Sequence, residues 1–125
     1  MTTTSSKDIL LIDDDNRNIF ALKAVLKSKG FNCLTATTAE DGFKELSRQN
    51  NVGVVLLDMM MPEMDGYEAI HFIRQDLKST IPIIAVTAQA MHGDKEKCLA
   101  AGADAYLPKP VDVDQLLLLL QRYLK

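Results

Sequence analysis

Three apolar runs in the chain end abruptly at polar residues. Ile9-Leu10-Leu11-Ile12 stops at Asp13, Gly53-Val54-Val55-Leu56-Leu57 at Asp58, and Pro82-Ile83-Ile84-Ala85-Val86 at Thr87. Unbroken runs of this length lack the alternation of a half-exposed strand and suit strands covered on both faces. Two weaker segments, Phe31 to Thr37 and Ala103 to Leu107, read as further strands. Between them the apolar residues recur at helical spacing. The first such stretch carries Ile19, Phe20, Leu22, Val25 and Leu26 and meets a stop at Gly30. A second helix follows a Thr38 cap and runs to about Arg48. A loop with Pro62, Asp65 and Gly66 leads into a third, from about Tyr67 to Leu77. A fourth spans about Met91 to Ala101 and stops at Gly102; the last runs from about Asp112 to Tyr123.

Five strands alternating with five helices imply an α/β domain with a parallel sheet covered on both faces. Right-handed crossovers leave few arrangements, and the smallest doubly wound sheet is the flavodoxin-like one of order 2-1-3-4-5. Its ligand crevice lies at the carboxyl ends of the first and third strands, so the chemistry should lie at strand ends. Residues 1–7 are Thr/Ser-rich and read as a disordered lead-in; residues 8–125 form the single domain.

The groups at those ends share one chemistry. The first strand ends in Asp13-Asp14-Asp15, the third in Asp58 and the fourth in Thr87, and the fifth is followed by Lys109. Crowded carboxylates repel one another unless a cation sits between them, and hard oxygen ligands favour Mg²⁺ (or Mn²⁺). A metal, a lysine and a hydroxyl around a lone carboxylate are suited to phosphoryl transfer. The carboxylate itself can be the nucleophile, forming an aspartyl phosphate. Taken singly, each group has a plainer reading: Asp15 or Asn16 can cap a helix, and Lys109 can be a solvated surface lysine. Four strand ends carrying suitable groups together favour the site.

Composition sharpens this. The 125 residues are 47% hydrophobic and 25% charged, an ordinary globular mixture for one domain. Net charge is −3, with 17 acids against 14 bases and no basic cluster, which argues against direct nucleic-acid binding. Setting aside Asp13, Asp14, Asp15, Asp58 and Lys109 removes four of the 17 acids and one of the 14 bases and leaves the rest neutral. No apolar run is long enough to cross a membrane, and the N-terminus is not apolar like a signal peptide. Cys33 and Cys98 have no ligand spacing. The expectation is a cytoplasmic protein with reduced thiols.

With these residues in place the chain resembles the receiver domains of two-component response regulators. The resemblance rests on Leu11-Ile12-Asp13-Asp14, Leu57-Asp58-Met59-Met60-Met61-Pro62-Glu63-Met64-Asp65-Gly66, Val86-Thr87-Ala88 and Lys109-Pro110, in that order and spacing. It covers about Ile9 to Leu124. The segments from Arg17 to Leu22 and from Gly102 to Asp112 are similar to receivers fused to hybrid histidine kinases. The resemblance implies that Asp58 accepts a phosphoryl group from a phosphohistidine on a histidine kinase or histidine phosphotransfer domain. It implies that Asp13, Asp14 and Asp58 hold Mg²⁺ with the backbone carbonyl of Met60, and that Thr87 and Lys109 bind the phosphoryl oxygens. Tyr106 then corresponds to the switch aromatic, and the Lys109–Pro110 bond is often cis in such domains. The spacing to Asp58 and the position of Asn18 favour Asp13-Asp14 as the metal pair, with Asp14-Asp15 the other choice.

Met60 and Gln89 lie two residues beyond Asp58 and Thr87 and should border the phosphoryl group. An apolar Met60 orients water poorly, so self-dephosphorylation should be slow to moderate. The run Leu116 to Leu120 goes all the way round a helix, so one or two of its leucines must face outward. In receivers the fourth helix, fifth strand and fifth helix form the usual output and homodimer face. Phe20, Phe43, Tyr67 and Phe72 read as core, and Met59, Met61 and Met64 as loop packing or adaptable partner contact. His71 and His92 have no assigned role.

Two rival functions use some of the same residues. A haloacid-dehalogenase-type phosphohydrolase also combines Asp, Thr or Ser, Lys and Mg²⁺. Its nucleophile comes first and its acidic pair last, the reverse of the order here. A phosphorylation-independent binding module would not need Asp58, Thr87 and Lys109 intact.

Overall fold

The structure is a computed structural model that describes residues 7–48, 51–88 and 94–124. The strands are β1 (Asp8–Ile12), β2 (Cys33–Ala36), β3 (Val52–Asp58), β4 (Ile83–Thr87) and β5 (Ala105–Pro108). They form one parallel sheet of order β2-β1-β3-β4-β5, the doubly wound arrangement expected. The helices are α1 (Asn16–Ser28), α2 (Ala39–Ser47), α3 (Gly66–His71), α4 (Asp94–Ala101) and α5 (Val113–Tyr123). The expected lead-in lies outside the described residues except for Lys7, as do Met91 and His92 ahead of α4.

Each strand is sandwiched, which explains the unbroken apolar runs. Alternate residues of β1 enter two cores. Leu10 and Ile12 join Phe43, Ala69, Ile70, Ile73 and Cys98 on the α2–α3–α4 side. Ile9 and Leu11 join Ile19, Leu22, Leu26, Leu116 and Leu120 on the α1–α5 side. Within the five-leucine run, Leu116 and Leu120 are buried and Leu118 is exposed, as the helical period requires. Phe20 departs from its expected place in the core: it is 77% exposed, one residue beyond the buried Ile19 on the outer face of α1. The buried stripe of α1 is complete with Ile19, Leu22 and Leu26, so a neighbouring phenylalanine is turned outward.

Local signals set most helix ends. Asp15 accepts the backbone N–H of Arg17, Thr38 that of Asp41, and Asp112 those of Asp114 and Gln115. Asp65 and Glu68 form a reciprocal capping box at α3. Gly30 (φ +90°) and Gly102 (φ +121°) end α1 and α4 in the left-handed region. In each case the next N–H reaches back across the turn, Phe31 to Leu26 and Ala103 to Cys98. The third helix is less regular than its sequence pattern. From Phe72 to Asp76 it widens to a π-helix, and it closes through Lys78, whose φ is +52°. The weaker strands are shorter than expected: β2 loses Phe31, Asn32 and Thr37, and β5 begins at Ala105 rather than Ala103.

Candidate phosphoryl-transfer and metal site

Strand register builds the site. Ile12 pairs with Leu57, Asp58 with Val86, and Thr87 with Pro108. Asp13 and Asp58 therefore leave adjacent strands side by side, and Thr87 and Lys109 follow one step along on β4 and β5. The Asp13 N–H donates to the Ala36 carbonyl at 3.0 Å and the Lys109 N–H to the Thr87 carbonyl at 2.8 Å, so the strand ends themselves are tied. The Lys109–Pro110 bond is cis.

Asp13 and Asp58 are buried and Asp14 is exposed. One ligand oxygen from each of the three lies within 4.8 Å of the others. Lys109 Nζ is 3.4 Å from Asp58 and 3.7 Å from Asp13. Asp58 accepts the Met60 N–H at 3.1 Å, an Asx turn that holds that oxygen in place. Asp13 accepts the Asp15 N–H and the Asn18 side-chain amide. Thr87 is buried beside them at the end of β4. Burial raises the Asp58 pKa, and the neighbouring Asp13 charge adds to this; the Met60 N–H and Lys109 oppose it. Three carboxylates against one ammonium is a donor set suited to a hard divalent cation.

Asp15 stands apart from this cluster. Its side chain caps α1, is about half exposed and lies 3.9 Å from the Arg17 guanidinium. The acidity assigned to the pocket from composition is thus overstated by one charge. Gln89 lies outside the described residues, while Met60 is exposed beside Asp58. Met59 and Met61 are buried, and a Cβ on Gly66 would come within 2.2 Å of the Met59 sulfur. These two methionines therefore pack the loop that carries Asp58. The supporting amide of Asn18 was readable in the sequence only as a family position; its signal is the spacing that places it on the first turn of α1, above Asp13.

Cavity size does not mark the chemistry. Two cavities of about 580 and 500 Å³, one along α3 and one between α2 and the π-helical turn after α3, contain none of these site residues. Cys33 and Cys98 are buried free thiols, and burial pushes Cys33 up to about 11, so both stay inert. No helix among the described residues is long and apolar enough to cross a membrane.

Comparison with known proteins agrees with this geometry. Residues 9–121 match the family described as the response regulator receiver domain. The sensor histidine kinase RcsC of Salmonella typhi is 42% identical over 117 residues, which cover 92% of this chain and 12% of that protein's length. The polar-differentiation response regulator DivK of Brucella ovis is 28% identical over 95% of this chain and 97% of its own. Among solved structures, the receiver domain of a Pseudomonas aeruginosa sensor histidine kinase superposes with a TM-score of 0.83 at 36% identity, covering 94% of this chain and 97% of that one. That structure has a magnesium ion coordinated in its active-site cleft. With the acidic cluster, the register and the matched residues in agreement, the chain belongs to the response regulator receiver domain family of two-component signalling.

Proposed function

We propose that Asp58 is a phosphoacceptor, charged in a Mg²⁺-dependent reaction from a phosphohistidine on a histidine kinase or histidine phosphotransfer domain. The carrying observation is the uncompensated charge: Asp13, Asp14 and Asp58 within 4.8 Å, with Lys109 against two of them. One Asp58 oxygen attacks phosphorus; the O–P bond forms as the P–N bond breaks, and the imidazole leaves with the electron pair. Asp13, Asp14, Asp58 and the Met60 carbonyl would hold Mg²⁺ or Mn²⁺, which when bound neutralises charge on the transferring oxygens. Lys109 supplies a fixed positive charge on the β5 side, and the Thr87 hydroxyl donates to another phosphoryl oxygen. The buried neighbours of Asp58 exclude bulk water, and exposed Met60 offers no polar group to orient an attacking one. Hydrolysis of the aspartyl phosphate is therefore slow to moderate, and the domain turns over no external substrate.

Thr87 moving toward the phosphoryl group frees space behind it for Tyr106, which changes the α4–β5–α5 surface. That face, where Leu99 and Leu118 are exposed, is the candidate for output contacts or homodimerisation. The setting is cytoplasmic, where the kinase domains and Mg²⁺ are found. The acidic pair on the first strand and lysine after the last argue against the phosphohydrolase reading. The test exposes wild type and Asp58→Asn to acetyl phosphate with Mg²⁺ and weighs the intact proteins. Wild type gains the mass of one phosphoryl group and the variant gains none. A gain in both, or in neither, sinks the assignment.

A further inference from the structure

Two features on opposite sides of the sheet have no part in the proposed phosphoryl site. The first is the outer face of α1. Phe20 is 77% exposed there, more than any other large hydrophobic side chain among the described residues. Lys23 and Lys27 follow it one and two turns along on the same face, and both are exposed. No acid occurs within α1, so the phenyl ring stands in a positive field. The second feature is the groove of about 580 Å³ along α3, within the roughly 300–1,000 Å³ of ligand pockets. Met64, Tyr67, Phe72 and Ala101 give it an apolar lining, and the exposed Glu68 and Asp76 give it acidic edges. No lysine or arginine lines it; Lys97 Nζ lies 4.7 Å from the Tyr67 ring centre without lining the groove. Phe72 and Asp76 are the two ends of the π-helical turn, a widening often found at functional sites. The irregular turn therefore forms one wall of the groove.

We propose that this groove receives Phe20 of a second copy of the chain, with Lys23 and Lys27 of that copy against Glu68 and Asp76. An aromatic anchor in an apolar pocket carries binding energy, and opposite charges at the rim fix its register. α1 packs on one face of the sheet and α3 on the other, so no chain can fill its own groove. The contact is head-to-tail, and the end copies keep one phenylalanine and one groove free. Association therefore continues beyond the dimer. It needs neither Asp58 nor a phosphoryl group, so it stands apart from the phosphoacceptor reading.

The test is sedimentation velocity of the 125-residue chain over a wide concentration range, without a phosphoryl donor. The weight-average mass of wild type should rise past that of a dimer, and the rise should shrink with added salt. Phe20→Ala should weaken association about tenfold or more, as expected of an interface anchor. Ala101→Arg, which fills the groove and repels lysines, should do the same. Asp76→Lys, at an exposed position, decides the part of the groove if Ala101→Arg fails to fold. Phe20→Ala and a groove variant, mixed in equal amounts, retain one intact groove and one intact patch, so they form a dimer and stop there. A mixture that stays monomeric overturns the proposal, as does a wild type that stays monomeric at every concentration. A wild-type dimer that never grows, or association indifferent to Phe20→Ala, also overturns it and places the contact on another face.

Discussion

The two ends of the sheet treat charge in opposite ways. At the carboxyl end, Asp58 and Asp13 share one lysine at 3.4 and 3.7 Å, distances of loose ion pairs, with Asp14 clustered beside them. At the amino end a single arginine is saturated. Arg74 donates to the carbonyls of Gly102, Ser79 and Ile81 and to Asp104, at 2.7 to 3.0 Å. Asp104 in turn accepts the Ile83 N–H at the start of β4. One end therefore binds its own charge fully and serves the fold. The other leaves charge uncompensated, as the proposed phosphoacceptor site requires. Both clusters are built from ordinary residues; what separates them is whether the donors and acceptors match.

The largest expected effect lies at the carboxyl end. Asp58→Asn abolishes labelling by acetyl phosphate, read by intact mass, while Arg74→Ala leaves labelling intact at a temperature where that variant is folded. Loss of labelling in folded Arg74→Ala would erase the division between the two ends. Next comes stability. Arg74→Ala leaves three carbonyls without that donor and removes one of the two donors to Asp104, and should cost about 3 kcal/mol in denaturant unfolding.

Asp58→Asn should act in the other direction in metal-free protein at neutral pH. It removes a buried charge from a carboxylate cluster and stabilises by on the order of 1 kcal/mol. Adding Mg²⁺ should stabilise wild type much more than the variant, and an equal gain in both would place the cation elsewhere. The sign with pH follows from the raised pKa of folded Asp58. The folded state holds that proton more tightly than the unfolded chain. Its contribution is fully present below the ordinary carboxylate pKa and is lost as pH rises through the raised value. Metal-free wild type should therefore lose stability relative to Asp58→Asn across that window. A difference independent of pH would refute the strained carboxylate. The smallest effect concerns lifetime. Replacing Met60 with a polar residue such as Gln should shorten the aspartyl phosphate half-life by a few fold. Release from wild type within seconds in Mg²⁺ buffer would contradict the role given to Met60.

Much of the architecture was legible in the chain. The apolar runs ending at Asp13, Asp58 and Thr87 marked three central strands because burial on both faces permits no polar residue inside them. Thr38, Asp65, Gly30 and Gly102 marked helix ends through local backbone chemistry that needs no tertiary partner. The weaker edge strands β2 and β5 were overextended, since an edge strand pairs on one side and its ends are set by the neighbour's length. Phe20 was misplaced because helical period alone does not say which of two adjacent apolar residues reaches the core.

Sequence by itself determined the types of group, their order and the strand ends that carry them, because those depend on local burial and periodicity. Tertiary structure added where the three consecutive aspartates lie, a placement that agrees with the preference for Asp13-Asp14 read from the spacing to Asp58. Parallel register sets Asp13 beside Asp58, with Asp14 within reach of both, while the start of α1 uses Asp15 as its cap. It alone brought Tyr67 and Asp94 together from two helices, and it alone showed Arg74 to be saturated. Distances between groups far apart in the chain follow from how strands pair and helices pack, and no local pattern contains them.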